Sequence, residues 1–318
     1  MQKSCLVGLI LLAVLLVAAS MALRRCYLDG AETGEDATIG ALSHPGDDQA
    51  LVVASARATV AAAAVALENR GDAAPDGLAL VSLRPLITDP VVVHGLAASE
   101  GTLYATGCDV SGQCGLVYVV DASTLDLRNK VIVPQDGTAV PGGIQVAGDA
   151  VWVWSVSVLS EETQIVILDK QTLMERARLV LEGAATALTV TSDGVYGSGR
   201  AGDWLYRWDA EGKQTLRRTN TTGAVYSDCE MLAGSFVCSG LLEDGSSVLD
   251  VMDPDQFSLL ARHVSDTRTE AGEPVLAGAW AYLPGHLLFV PAGGDVPIVW
   301  TYALDAISLE AFIPSASR

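Results

Sequence analysis

Apolar and polar positions alternate with a period of two through most of the chain, in short runs separated by glycine, aspartate and serine or threonine turns. Leu116-Val-Tyr-Val-Val-Asp-Ala-Ser-Thr-Leu125 and Ile165-Val-Ile-Leu-Asp-Lys-Gln-Thr-Leu173 share one plan: an alternating strand, an aspartate, a few turn residues and a new strand. The plan returns at Leu205–Asp209, Val248–Asp253 and Val299–Asp305, and in degenerate form at Leu78–Ser82. The marked positions 82, 121, 169, 209, 253 and 305 are separated by 39, 48, 40, 44 and 52 residues. An earlier half precedes the mark in each unit, as in Gly95–Tyr104, Gly143–Trp152, Thr186–Tyr196 and the stretch around Gly234. It reads as an inner strand, a tight turn and a second strand.

Four short strands in a unit of this period define a propeller blade. The fold expected is therefore all-β, a β-propeller of six four-stranded blades preceded by one N-terminal hydrophobic helix. Five units are clear from Gly95 onward, and a divergent sixth is assigned to Ala50–Val93. Ala58–Ala66 is read as a strand from its place in that unit. Leu51–Ala54 offers another way to close the ring, by completing the last blade. The recurrent aspartate can accept hydrogen bonds from the turn amides that follow it, which makes it a scaffold residue.

The forms Ser192-Asp-Gly-Val-Tyr196 and Ile167-Leu-Asp-Lys-Gln-Thr-Leu173 resemble the YVTN-type and quinoprotein-like propeller superfamily, over roughly residues 50–314. The resemblance is to blade scaffolding, so it implies a fold and leaves open a range of roles: extracytoplasmic binding proteins, assembly scaffolds and some enzymes.

The N-terminus bears on compartment. Cys5 to Leu23 runs without a charge, after Lys3 and before Arg24-Arg25. Residues 1–25 fit either a single-pass membrane anchor or a signal peptide cleaved after Ser20-Met21-Ala22. Residues 26–48 form an acidic linker, and residues 49–318 the propeller. Of six cysteines, Cys108/Cys114 and Cys229/Cys238 form two close pairs, each bracketing a turn. Both are expected as disulfides, each stabilising by about 2.5 kcal/mol, in an oxidising compartment. The chain is thus placed outside the cytoplasm, tethered to the membrane or secreted. An Asn220-Thr221-Thr222 sequon is present.

Net charge is −19, from 38 acidic and 19 basic residues. That balance argues against nucleic acid as a partner and against docking on an anionic membrane face; it serves solubility, or attracts cations or a basic partner, and with no catalytic constellation in the sequence a protein partner is expected. No P-loop, HExxH, EF-hand loop or GxSxG occurs, and Gly197-Ser-Gly-Arg-Ala-Gly202 matches GxGxxG only as a turn between strands. Candidate channel-mouth residues are His94, Gln145, Asp228 and Glu230. The two acids share one strand face by alternation, and could hold calcium or serve acid–base chemistry. The expectation is a binding or scaffold module with no obligatory cofactor. The alternative is a calcium-dependent propeller hydrolase or lactonase, which requires ligands from several blades to converge. His44 falls in the linker, His263 and His286 are expected at the surface, and the six tryptophans are expected to pack between blades.

Overall fold

The computed structural model describes residues 78–87, 89–109, 112–134, 139–157, 160–293, 296–304 and 312–313. The N-terminal hydrophobic segment, the acidic linker and the Ala58–Ala66 strand lie outside the described residues.

Among the described residues, twenty strands form five antiparallel four-stranded sheets. Blade 1 holds β2 (Val91–Ser99), β3 (Thr102–Asp109), β4 (Leu116–Asp121) and β5 (Leu127–Ile132). Blade 2 holds β6 (Ala139–Ala147), β7 (Ala150–Ser157), β8 (Glu162–Asp169) and β9 (Glu175–Glu182). Blade 3 holds β10 (Ala185–Thr191), β11 (Gly194–Gly199), β12 (Trp204–Trp208) and β13 (Gln214–Thr219). Blade 4 holds β14 (Val225–Leu232), β15 (Ser235–Leu241), β16 (Ser247–Met252) and β17 (Leu259–Ser265). Blade 5 combines β18 (Ala279–Leu283), β19 (His286–Val290) and β20 (Ile298–Ala303) with β1 (Ala79–Pro85), which pairs antiparallel with β20.

The blade number corrects the sequence expectation of six. The unit assigned to Ala50–Val93 is divided: Ala79–Pro85 is the outer strand of the last blade, and Val91 already begins the inner strand of the first. The error has a physical origin. The outer strands β5, β9 and β13 are largely exposed and carry several charged residues, whereas Ala79-Leu-Val-Ser-Leu83 is nearly all apolar, as the third strands are.

Five hydrophobic clusters hold the molecule together, one at each blade interface. Trp154 and Ile165 of blade 2, for example, pack against Leu188 and Trp208 of blade 3, and Leu103 and Tyr118 of blade 1 against Leu288 and Val299 of blade 5. Three fully buried tryptophans also bridge blades by their indole N–H groups: Trp154 to Thr186 O (2.8 Å), Trp208 to Glu182 O (3.1 Å) and Trp280 to Asp228 O (3.4 Å). Near the axis the strands come closer than side chains allow. A Cβ on Gly95 would lie 2.4 Å from Gly143 Cα, so glycine there lets the inner strands of blades 1 and 2 meet backbone to backbone.

The recurrent aspartates are scaffold. Asp169 Oδ1 accepts from Gln171 N (3.0 Å) and Thr172 N (2.7 Å), and Asp253 Oδ1 from Asp255 N (2.9 Å) and Gln256 N (2.7 Å). His263 departs from its expected surface position: it is half-buried in β17, with its ring stacked on Phe312 at 3.9 Å. The Asn220 side-chain nitrogen donates to Gly202 O and Ala224 O, so the sequon's acceptor atom is engaged within the fold.

Blade 4 contains a buried ion pair. The fully buried Asp250 carboxylate receives Arg262 Nε and a terminal Arg262 nitrogen, each at 2.7 Å, and also the Tyr226 hydroxyl. Arg262 further donates to Thr222 O at 2.9 Å. Removing the cation leaves a buried carboxylate without a counter-charge. Arg262→Met is therefore expected to destabilise the protein by about 3 kcal/mol in urea unfolding; a change within error of wild type would show that the pair contributes nothing to the fold.

Candidate functional site

The inner strands β2, β6, β10, β14 and β18 surround the axis, each with one edge that no strand of its own blade covers. Buried amides on such an edge need acceptors. Neighbouring side chains supply them. Asp228 Oδ2 accepts from Trp280 N at 3.1 Å, its Oδ1 from Cys229 N at 3.0 Å, and the carboxylate also receives the Leu96 amide. Glu230 Oε2 accepts from Tyr282 N at 3.1 Å and is hydrogen-bonded to Gln145. Thr189 Oγ accepts from Met231 N at 3.1 Å. Asp228 and Glu230 of blade 4 thus reach the inner strands of blades 1, 2 and 5 and stitch the interior of the ring.

Both acids are almost entirely removed from water, at 2% and 8% exposure. Burial raises Glu230 to about 8 and holds Asp228 well above the usual carboxylate range, with the nearby Glu230 raising Asp228 further and the amide bonds opposing the rise. Cys229 sits between them and forms a buried disulfide with Cys238, the residue opposite it on β15. That cross-link fixes the hairpin carrying the acids.

Above this layer is a second arrangement, open to solvent. Four inner strands break register near their starts: at Val93/Gly95, Pro141/Ile144, Ala185/Ala187 and Tyr226/Asp228. A bulge re-aims a side chain out of the regular alternation. The residues passed over are His94, Gly142-Gly143, Thr186 and Ser227. His94, Gly142, Thr186 and Ser227, together with Arg200 from the β11–β12 turn, line a cavity of about 280 Å³ at the channel mouth. Residues of all five blades contribute, with Ala277–Ala279 closing the blade 5 side. The second disulfide, Cys108–Cys114, lies at this end of blade 1, and Cys108 Sγ is 3.4 Å from His94 Nε2. Burial lowers the His94 pKa, so its imidazole is neutral at pH 7.

The four residues singled out in the sequence therefore separate into two layers. Gln145, Asp228 and Glu230 come together inside the ring, while His94 belongs to the mouth. Sequence reasoning missed Thr186, Ser227 and Arg200. Arg200 stood within the GxGxxG match, which the structure places between β11 and β12 as a turn, with Gly202 at φ +70°. Among the described residues no three His, Cys, Asp or Glu side chains gather as a metal-ligand group. Among the described residues, the two buried acids at the centre both come from β14.

No family model matches the chain, and no curated protein matches it. Solved structures do. A glutaminyl cyclase from Myxococcus xanthus aligns over 72% of this chain and 96% of its own, with a TM-score of 0.55 and 13% identity. An exo-β-1,3-galactanase from Phanerochaete chrysosporium aligns over 68% and 60%, at 0.47 and 12%. BamB from Moraxella catarrhalis aligns over 66% and 59%, at 0.36 and 16%. The first of these likenesses is a likeness of fold, and with the strand order it establishes the chain as a β-propeller.

The buried acid has a pH signature. A carboxyl whose folded pKa exceeds its unfolded value favours the native state most fully below the unfolded value and loses that contribution as pH rises through the folded one. The unfolding midpoint is expected to fall between pH 4.5 and about 8, and Glu230→Gln, which keeps an acceptor for Tyr282 N, should flatten much of that fall. Identical pH profiles for the two proteins would remove Glu230 as the titrating group.

Proposed function

We propose that this chain is an extracytoplasmic binding or scaffold module whose channel-mouth face docks a protein partner. The observation that carries the reading is the division of labour along the axis. The polar groups inside the ring are spent on the amides of neighbouring blades, whereas bulge residues from separate blades line one cavity at the mouth. Scaffolding on a rigid ring suits recognition by presented side chains, because each blade fixes its own contribution.

Two formed disulfides support an oxidising compartment. The uncharged run Cys5–Leu23 supplies either a tether or an export signal, so the proposed location is the outer side of a membrane or beyond it. Fold likeness to an enzyme does not transfer an activity at this identity. The calcium-dependent hydrolase reading is less well supported, because Asp228 directs both oxygens at backbone amides.

A photo-crosslinking residue at Ser227, in the mouth, should capture a discrete protein adduct in intact cells. The same residue at Asp193, in the β10–β11 turn at the other end of the blade, should not. Equal labelling from both positions, or none from either, would count against a mouth-facing partner. Calcium and chelator are expected to leave the unfolding midpoint unchanged, and a saturable rise with calcium would favour the hydrolase instead.

A further inference from the structure

Arg200 stands apart from the other arginines among the described residues. Every other arginine among the described residues meets a carboxylate, a carbonyl, a side-chain amide or an aromatic ring. The Arg200 guanidinium has no such partner among the described residues, although the chain carries 38 acidic residues. Its backbone is fixed, with Arg200 N donating to Ala184 O at 2.8 Å, so the turn that presents it is anchored to the entry of blade 3. Arg200 is one of the residues that line the mouth cavity, to which all five blades contribute.

The rest of the lining defines what would match it. Thr186 and Ser227, two hydroxyl-bearing residues, line it from adjacent blades, while Val93, Ala277, Ala279 and Ala292 make much of the remainder apolar. Neutral His94 adds a polar nitrogen but no charge at pH 7. The cavity therefore presents one positive charge, two hydroxyls and an apolar wall in about 280 Å³, just under the range usual for drug-sized ligands. A guanidinium engages a carboxylate through two parallel N–H donors. A multiply charged anion fits less well, with a single cation to meet it and a net charge of −19 on the chain.

We infer that the channel-mouth cavity binds a carboxylate borne on a small apolar body, with Arg200 as the counter-charge and the Thr186 and Ser227 hydroxyls as flanking donors. The inference rests on the reading of the mouth as the binding face. The carboxylate comes either from a free small acid or from a side chain or C-terminus that the protein partner inserts.

The test uses the purified full-length chain, with butanoate, butanamide and inorganic phosphate as probes in saturation-transfer NMR and thermal unfolding. Butanoate should bind saturably, and Arg200→Gln should weaken it on the order of tenfold to hundredfold. Because Arg200 is exposed, that variant should keep the wild-type midpoint without ligand. Butanamide should not compete, and phosphate should bind more weakly than butanoate. Absence of saturable butanoate binding, equal affinity in Arg200→Gln, or tighter binding of phosphate would overturn the inference. Failure here is separable from failure of the partner reading. A Ser227 adduct that persists in Arg200→Gln, with no butanoate binding, sinks the carboxylate site and leaves the partner. Butanoate binding that Arg200→Gln abolishes, with no adduct, does the reverse, and assigns the carboxylate to a free acid. An adduct lost in Arg200→Gln and competed by butanoate supports insertion by the partner.

Discussion

Five inner strands around an axis leave five backbone edges that no strand of their own blade covers. Every other feature of this propeller's centre answers to the buried amides on those edges. In this chain the answer is unequal among the blades. Blade 4 supplies Asp228 and Glu230, which accept from amides of blades 1 and 5, and blade 2 contributes Gln145 to the same network. A carboxyl group suits the task because each of its two oxygens can accept independently, so one side chain can hold two strands. The accompanying cost is desolvation, which the protein limits by keeping these acids protonated more readily than acids in water.

The same constraint organises the mouth. A strand that continued its alternation to the end of the ring would bury or expose its side chains in strict turn. The bulges in β2, β6, β10 and β14 interrupt that order at matching places, and one residue or pair per strand leaves the regular pattern. Interior and mouth are therefore two products of one set of strands: the regular part closes the ring and the irregular part furnishes it. Trp154 shows how closely the two are linked. Its indole lies over Gly142 and Gly143, where any Cβ would come within 2.4 Å of the ring, and its N–H holds the Thr186 carbonyl in the next blade.

Much of this was legible in the amino-acid order. Blade period, strand order within a blade, turn aspartates and both cysteine pairs are local patterns, and local patterns survive in sequence. The carboxylates could be placed on one face of one strand, because alternation is also local. What was not legible depends on distant pairing or on broken register. The number of blades turned on whether Ala79–Pro85 opens a new unit or completes the last, and only its pairing with Ile298–Ala303 decides that. Thr186 and Ser227 look like ordinary strand residues, since a bulge leaves no signature in composition. Arg200 sat inside a glycine-rich turn that was correctly read as a turn, and a turn motif says nothing of what it overlooks.

The seam between β1 and β20 has a bearing on how the molecule comes into being. Its two strands are separated by the whole of blades 1 to 4, so the loop to be closed is nearly the length of the propeller. As the chain emerges, the first described strand must wait, with one edge unpaired, until the last blade has followed it. Blades 1 to 4 can each form their hairpins in turn, but the circle is completed by an event that joins the first described strand to the last one, which is made only after all four of those blades.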